Sequence, residues 1–539
     1  MPELPLTVFK KILNYTGIIF LVLTVVTGLF FLLPYHDFQL HLAQGDHGNN
    51  LYAFKKTMDG WRPYHDFWWV YGPLMLYYYA LFMRFLGVNM HSVLIGYIFL
   101  QFLCGIVLYL ILKKVSVKPY MAWMGAGWWW IFSSPFEHTY NHAGGILAIL
   151  VTVYLLFSYR EQPKKAYLYL GLGVIFLLCF IKLNFGFSML AGFVIGAGLI
   201  DSFHKRKIDK DKKRFYLAAL VVLPAAVFFI HWLMLRGLPF YAVRQCFPFL
   251  EGDQPYQSPF LKSLQEFWSY TATQMTRRHL VGITMILAFC IGTLAAGFHE
   301  KSKRVLLKKE LGQVLLIVFI FFILNLHEFL ASAVVYRSFW AEPFQIIAMF
   351  VIISFAFRDL PRGLKAVICL IIMYLVLNYH FVRINFVRPV KQFIPLERGQ
   401  IYIANQPPWL NTVVETTHYL KEHLNPDETF LALVDDPLYY FLTDKDSPYR
   451  LTSFSEHIKV REDQEQELIR ALERENVRYV ILSNRYKSPE TGLGTFGETY
   501  CQVLSHYLRD RYQIVAKFGE WDKIPEWFAH HGIAVLKKK

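Results

Sequence analysis

Charged residues are scarce in this sequence of 539 residues. Asp, Glu, Lys and Arg together make up 18% of it, whereas soluble globular domains carry about 25%. Hydrophobic residues account for 55%, and the mean hydropathy is +0.32. This composition excludes an ordinary soluble protein and indicates an integral membrane protein.

Cysteine and internal repeats are scarce as well. Only six cysteines occur, and the two outside apolar runs, Cys246 and Cys501, have no metal-ligand spacing between them. The sequence shows no internal repeat of the kind that is common in secondary transporters. Both observations weaken the case for a zinc protein and for a repeat-built transporter.

Acidic residues are fewer than basic ones, and the net charge is +15. The Lys and Arg residues cluster in short loops between apolar runs, as in "HKRKIDKDKKR" and "KSKRVLLKK". Such clusters are typical of the cytoplasmic loops of membrane proteins. A nucleic-acid-binding protein would instead carry its basic residues on one continuous surface, so nucleic acid is not an expected partner.

Apolar runs long enough to cross a membrane predict about eleven spans, since a helix needs about 20 such residues. The predicted spans are 13–34, 91–112, 119–135, 142–158, 166–183, 184–201, 215–236, 279–298, 313–334, 341–357 and 363–380.

The segment 70–87 is also apolar, but it is short and contains Gly72 and Pro73. Counting it as a span would move the basic residues at 113–118 to the outer side. Leaving it out places every basic loop in the cytoplasm, in agreement with the positive-inside rule. We therefore expect a helix of 70–87 that lies in the outer membrane interface, within a first outer loop of 35–90.

The pattern changes after about residue 380. Short apolar stretches such as "TFLALV" and "VRYVILSNR" predict strands, and "REDQEQELIRALEREN" predicts a polar-faced helix. We expect two domains, a transmembrane domain of 1–380 and an extracytoplasmic α/β domain of 381–539. The acids Asp435 and Asp436 are interpreted as the end of a strand in a binding or scaffolding domain, with turn chemistry before Pro437 as an equal explanation.

Polar side chains collect in the predicted outer loops and beside one span. Loop acids and cations are usually solvated, and the arginines could be interfacial anchors. Lys182, in "FIKLNFG", either extends to the interface or binds an anion. An acid surrounded by cations suits one reaction in particular. The acid can remove a proton from a hydroxyl while the cations bind a phosphate. The residues concerned are Asp46, Asp59, Asp66, Glu137, His138, Tyr140, Asn141, His142, Lys182, Arg244, Arg277, Arg278, Arg337 and Glu342.

A metal site is a weaker expectation. His138 and His142 are four residues apart in "HTYNH", but the segment lacks the Glu of an HExxH motif. Two outer loops pair an acid with a His, so a divalent metal stays open. No cofactor is otherwise indicated.

The first outer loop carries a family resemblance. The stretch "GDHGNNLYAFKKTMDGWRPYHDFWWVYGPLMLYYYALFMRFLG" resembles the start of GT-C glycosyltransferases, in the bacterial protein-mannosyltransferase-like and aminoarabinose-transferase-like branch. "FIKLNFG" and "YRSFWAEPFQIIAMF" resemble later elements of that family. The positions that match its first-loop pattern are Asp46, Tyr52, Gly60, Pro63, Tyr64, Asp66, Gly72, Pro73 and Gly87.

The resemblance implies an inverting transferase of the bacterial inner membrane that takes a sugar from a polyprenyl-phosphate donor. The N-terminus would be cytoplasmic and the C-terminal domain periplasmic, with membrane lipids around the spans. Asp46 would be the catalytic base for a lipid, glycan or protein acceptor. Lys182, with Arg337 and Arg277, would bind the lipid phosphate, and the residues expected at the acceptor or sugar are Asp66, Tyr64, Glu137 and Asn141.

Two other functions remain as alternatives. A transporter or flippase for a lipid-linked saccharide would need polar or broken helices in mid-membrane, and Asn325, His327 and Glu328 are the clearest such cluster. A surface-polysaccharide ligase or polymerase would also have many spans and a large outer loop. The acid in the first loop favours the glycosyltransferase over both.

Overall fold

The computed structural model describes residues 17–29, 37–38, 45–132, 140–206, 209–247, 262, 303–332, 335–356, 391–400, 402–404, 408–487, 493–524 and 530–539. The described part is mainly helical up to residue 356 and mixed α/β from residue 391 onwards.

The helices of the first part follow the predicted apolar runs closely. Two predicted spans, 279–298 and 363–380, lie outside the described residues. The helices are α1 (Gly17–Leu29), α2 (Gly45–Met58), α3 (Leu74–Leu86), α4 (Met90–Lys114), α5 (Pro119–Phe132), α6 (Tyr140–Glu161), α7 (Lys165–Cys179), α8 (Leu183–Phe203), α9 (Lys210–Leu235), α10 (Phe240–Cys246), α11 (Lys303–Asn325), α12 (His327–Ser332) and α13 (Glu342–Ala356).

Six segments among the described residues are long and apolar enough to cross a membrane, which makes the chain a multi-pass membrane protein. They are α4, α6, α8, α9, the segment Glu310–Ser332 and the segment Arg337–Phe355.

One end of the helix bundle is basic. Lys114, at the end of α4, forms an ion pair with Glu161 at the end of α6. Lys165, at the start of α7, pairs with Asp211 at the start of α9. Because these helix ends meet, the loops between them share one face of the bundle, which we call the basic face.

The opposite end is the site face, where the first loop meets other connections. The backbone N–H of Leu74 donates to the carbonyl oxygen of Phe180 at 2.9 Å, and that of Met90 donates to Arg398 at 2.9 Å. Phe180 follows the last residue of α7, and Arg398 belongs to the C-terminal part. Both ends of α3 therefore lie on the site face.

Helix α3 does not cross the bundle. It has 13 residues, about 20 Å of helix, whereas the hydrocarbon core is about 30 Å thick. Tyr77, Leu81 and Phe85 leave one side of it exposed and apolar. The structure agrees with the expectation that residues 70–87 lie along the interface.

The predicted span 313–334 is two helices rather than one. Helix α11 ends at Asn325, and α12 begins at His327. The side chain of Asn325 donates to the carbonyl oxygen of Phe321 at 2.8 Å, and a ring nitrogen of His327 bonds that of Leu324 at 2.8 Å. Since these side chains bond to carbonyls that the helix would otherwise use, the last turn ends early.

The C-terminal part forms the predicted α/β structure. Its elements are β2 (Lys391–Phe393), β3 (Tyr402–Ala404), α14 (Pro408–His423), β4 (Phe430–Leu433), α15 (Leu438–Thr443), α16 (Glu462–Arg474), β5 (Tyr479–Ser483), α17 (Gln502–Arg511), β6 (Tyr512–Gly519) and β7 (Gly532–Lys538).

Its main sheet has the strand order β4-β5-β7-β6, with β4 parallel to β5 and the other pairs antiparallel. Every residue of β4 is buried, as expected for an apolar strand covered on both faces. A small second sheet joins the first loop to this part, because β1 (Asp37–Phe38) pairs in parallel with β3. Helix α2 packs against both α3 and α15 and so lies between the bundle and the C-terminal part.

Candidate active site

Asp46 lies in the first turn of α2, on the site face. The positive end of the helix dipole stabilises a carboxylate at this position. Gly45 and His47 on either side of it are buried, whereas Asp46 itself is exposed. The short "GDHG" sequence thus places one carboxylate on an open surface of an otherwise buried helix start.

The surroundings of Asp46 are dense in spite of this exposure. Burial raises the pKa of its carboxyl from 3.8 to about 6, and the negative charge of Asp435 adds to that rise. Arg337, Lys182 and Arg485 act in the opposite direction. The carboxylate is therefore reached by water and lies within electrostatic range of these charged groups, while the surrounding protein restricts its solvation.

Lys182 lies in the connection between α7 and α8. Its ammonium group is 2.6 Å from a carboxylate oxygen of Glu328, and both side chains are only 14% exposed. The same ammonium lies 5.2 Å from the ring centres of Phe185 and Trp340 and 5.7 Å from that of Tyr71. The predicted anion-binding lysine is thus held by one acid and three aromatic rings.

Glu328 itself is shared. The side-chain amide of Asn184 donates to a carboxylate oxygen of Glu328 at 2.9 Å. The same amide nitrogen lies 2.9 Å from a ring nitrogen of His327. The early end of α11 and the restart at His327 bring Glu328 to Lys182. The polar cluster of this predicted span therefore lies at the site face, where it positions Lys182.

Arg337 belongs to a 3₁₀ segment, Val335–Ala341, between α12 and α13. Its side chain is half-buried, and its charge lowers the pKa of Asp46. Ser338 and Trp340 of the same segment are buried, which fixes the backbone that carries the arginine. The structure thus brings together Asp46, Lys182 and Arg337, as expected from the sequence.

The C-terminal part contributes three charged residues at the ends of two neighbouring strands. Asp435 and Asp436 follow β4, and Arg485 follows β5. Because β4 and β5 are parallel, their carboxyl ends lie at the same edge of the sheet. Arg485 lowers the pKa of both acids, although burial raises that of Asp436 to about 6 overall.

Sequence interpretation missed these three residues as parts of the site. The sequence interpretation places Asp435 and Asp436 at the end of a strand in a binding or scaffolding domain, with turn chemistry before Pro437 as an equal explanation. The structure places both acids after β4, and Asp435 in addition acts on Asp46. The available signal was a charged residue directly after each of two apolar strands, "DDP" and "SNR". The missing information was that the two strands pair in parallel.

Helix α2 is fixed to the C-terminal part along much of its length. The backbone N–H of Ser447 donates to the hydroxyl of Tyr52 at 3.0 Å. Lys56 is buried, pairs with Asp446 and lies 3.6 Å from the ring centre of Trp61. The helix that carries Asp46 is therefore held by groups outside the membrane-spanning bundle.

Two other predicted residues of the first loop serve the loop itself in this structure. Tyr64 is buried, and its hydroxyl donates to the carbonyl oxygen of Tyr71 at 2.6 Å. Asp66 accepts from the backbone N–H of Arg62 at 2.7 Å. A role for Tyr64 or Asp66 towards an acceptor or sugar stays a prediction.

The second outer loop is described only from Tyr140 onwards. Asn141 is fully buried, and within the described part of the chain its side-chain amide makes no hydrogen bond. The ring of the adjacent Tyr140 lies 5.5 Å from that of His47. Glu137 and Arg277 lie outside the described residues, so their expected roles stay predictions.

No group of three His, Cys, Asp or Glu residues suited to a metal ion occurs within the described ranges. Burial lowers the pKa of His47 from 6.5 to about 4, so this histidine is neutral at physiological pH. His138 lies outside the described residues, and a divalent metal at the second loop remains an untested expectation.

Comparison with known proteins finds similarity in structure rather than in sequence. No protein-family model and no curated protein matches the chain. The apo structure of ArnT from Cupriavidus metallidurans matches with a TM-score of 0.52 and 11% identity, over 96% of this chain and 97% of that one. ArnT is a GT-C protein, so this likeness shows the fold of the chain.

Two further solved structures are similar at lower scores. ArnT from the same organism bound to undecaprenyl phosphate has a TM-score of 0.44 and 9% identity, over 96% of this chain and 97% of that one. The archaeal oligosaccharyltransferase AglB from Archaeoglobus fulgidus, in complex with an inhibitory peptide and a dolichol-phosphate, has a TM-score of 0.47 and 10% identity. That match covers 88% of this chain and 70% of AglB.

Proposed function

We propose that this chain, which has a GT-C fold, is a membrane glycosyltransferase that uses a polyprenyl-phosphate-linked sugar. It transfers the sugar to an acceptor hydroxyl, with inversion, at the site face. The observation that carries the proposal is the exposed carboxylate of Asp46 within electrostatic range of Lys182, Arg337 and Arg485. This arrangement supplies a base and cations for a leaving phosphate in one place.

The reaction that suits these groups is a single displacement. Asp46 accepts the proton of the acceptor hydroxyl as its oxygen forms a bond to the anomeric carbon. The bond between that carbon and the phosphate oxygen breaks at the same time, and its electron pair leaves with the lipid phosphate. Lys182 and Arg337 offset the growing negative charge on the phosphate.

The site face is proposed to be extracytoplasmic, in a bacterial inner membrane. The loops of the basic face carry the Lys and Arg clusters, which favour the cytoplasm. A polyprenyl donor suits cations at the ends of apolar helices, because its chain can stay among the helices while its phosphate reaches the cations. Arg277, Asp66, Tyr64, Glu137 and Asn141 are proposed helpers at the phosphate, acceptor or sugar.

The transporter alternative receives less support. Its strongest sequence feature was the cluster of Asn325, His327 and Glu328. In the structure, Glu328 pairs with Lys182 at the site face, whereas transport sites lie near the middle of the membrane. The break between α11 and α12 therefore has a role at the site face, because it brings Glu328 to Lys182.

The test is transfer by the purified, full-length protein in liposomes, with undecaprenyl-phosphate sugars as donors and release of the lipid phosphate as the readout. Asp46→Asn should lower kcat by about 100- to 10,000-fold, the usual range for loss of a general base. Asp59→Asn is the matched control, since Asp59 follows the same helix and pairs with Lys55 at its surface.

Full activity of the Asp46→Asn protein would contradict the proposal. So would equal losses in the Asp46→Asn and Asp59→Asn proteins, because a general effect on the first loop would then explain both. Movement of the lipid-linked sugar across the membrane without any transfer would favour the transporter.

A further inference from the structure

Asp435 touches the very start of the helix that carries Asp46. A methyl group added at Gly45 would lie 1.7 Å from a carboxylate oxygen of Asp435. The glycine is therefore needed here for close approach, and only a residue without a side chain allows the carboxylate to reach the first turn of α2. This contact joins an acid of the C-terminal part to the residue next to Asp46.

A hydrogen-bonded chain fixes the position of Asp435. The side-chain amide of Asn49, one turn along α2, donates to Asp435 at 2.8 Å. The hydroxyl of Thr452 donates in turn to the amide oxygen of Asn49 at 2.9 Å. Asp435 is thus held against α2, and its carboxylate lies at the first turn of this helix, which also carries Asp46.

The two acids have different surroundings. Burial raises the pKa of Asp435, but Arg485 and hydrogen bonds from Ser453 and Asn49 oppose that rise. Asp46 is exposed to solvent. Because like charges disfavour each other, the negative charge of Asp435 raises the pKa of Asp46.

We infer that Asp435 is a positioning residue for Asp46, which holds the start of α2 in place and makes Asp46 a stronger base through its negative charge. Only the role of Asp46 as a base rests on the proposed function. The close approach of Asp435 to Gly45, its hydrogen bond with Asn49 and its electrostatic effect on Asp46 do not depend on that function.

Among the described residues, the charges with the largest effect on Asp46 come from four places in the fold. They are Asp435 after β4, Arg485 after β5, Lys182 between α7 and α8, and Arg337 in the 3₁₀ segment. His47, beside Asp46 on α2, is neutral because burial lowers its pKa to about 4. Among these groups, Asp435 is the one whose charge strengthens the base.

The sign of the effect follows directly. A base works when deprotonated, so the rate falls as pH drops through the pKa of Asp46, which is about 6. Removing the negative charge of Asp435 makes deprotonation of Asp46 easier. In Asp435→Asn, the acid limb of the pH profile of kcat/KM should move to lower pH by about 1 unit. The plateau rate should fall several-fold, since a weaker base is a poorer proton acceptor.

Arg485→Gln provides the matched control of opposite sign. Arg485 lowers the pKa of both Asp46 and Asp435, so its removal should move the acid limb to higher pH. Asn at position 435 keeps an oxygen that can accept from Asn49. If that variant does not fold, Asp435→Ser removes the same charge with a smaller side chain and should shift the limb in the same direction.

An unchanged acid limb in folded Asp435→Asn or Asp435→Ser protein would overturn the inference. A shift of both the Asp435 and Arg485 variants in the same direction would do so too. Infrared titration of the carboxyl groups, with Asp46→Asn protein as the blank, measures the protonation of Asp46 without any substrate. A shift in that titration, combined with no transfer at any pH, would support the pairing and reject the proposed reaction.

Discussion

At the residue scale, Lys182 must meet two demands, because it neutralises Glu328 and is proposed to bind the donor phosphate. Replacing it with Met leaves the mostly buried Glu328 without its cation, which should cost up to about 3 kcal/mol of stability. Loss of a charged hydrogen bond to the phosphate should also weaken donor binding about tenfold or more. The measurements are the melting temperature and the KM for the donor in Lys182→Met protein.

The double variant Lys182→Met with Glu328→Gln separates the two demands. With the acid made neutral, the melting temperature should recover, because no buried charge is left without a partner. Donor binding should stay weak, because no cation has returned. Recovery of both would mean that Lys182 serves only as the counter-ion of Glu328 and does not bind the phosphate.

At the element scale, the position of α2 depends on close packing against α15. A methyl group at Gly48 would lie 2.5 Å from the backbone nitrogen of Leu438 and 2.9 Å from its Cβ. Backbone cannot move away as a flexible side chain can, so Gly48→Ala should cost about 1–3 kcal/mol. The shift of α2 would also displace Asp46, and such displacements lower kcat by about 100-fold per ångström.

The control is Gly127→Ala in α5, where an added methyl group meets no atom within 4 Å. Alanine is favoured over glycine inside a helix by up to about 1 kcal/mol, so this variant should keep its activity and melt no earlier than the native protein. Equal behaviour of the two alanine variants would show that α2 does not depend on its contact with α15.

An element could be predicted from the sequence where composition and charge along the chain determine it, and not where individual side-chain contacts do. The interfacial position of α3 followed from its short length and from the basic residues at 113–118, at the end of the next helix. The break in the span 313–334 depended on side chains that bond to backbone carbonyls within one turn, and hydropathy does not record such bonds. The predicted span became α11 and α12 for this reason.

The site followed the same rule. Asp46, Lys182 and Arg337 were predicted because each stands out in its own loop and a one-sided topology brings the loops together. Asp435 and Arg485 were not, because their place depends on the parallel pairing of β4 with β5, which are separated by α15, α16 and their connections. Pairing between distant strands leaves no periodic pattern in the sequence.

At the scale of the whole molecule, one orientation decides which compartment supplies the donor and the acceptor. The basic face carries Lys213, which is exposed, and the C-terminal part carries Asp510, whose side chain is 62% exposed. The four cysteines in the described part of the chain are free and buried. Single cysteines introduced at these two exposed positions can therefore report the orientation, once Cys290 and Cys369 are replaced with Ser.

We expect a membrane-impermeant maleimide to label Asp510→Cys protein in intact spheroplasts and Lys213→Cys protein only after permeabilisation. The physical reason is that clustered Lys and Arg residues resist transfer across the membrane during insertion. Transfer activity of both variants serves as the control for native structure, since neither position lies near Asp46 in the chain or on its helix. The reverse labelling pattern would place Asp46 and the C-terminal part in the cytoplasm, and the donor would then have to present its sugar on that side.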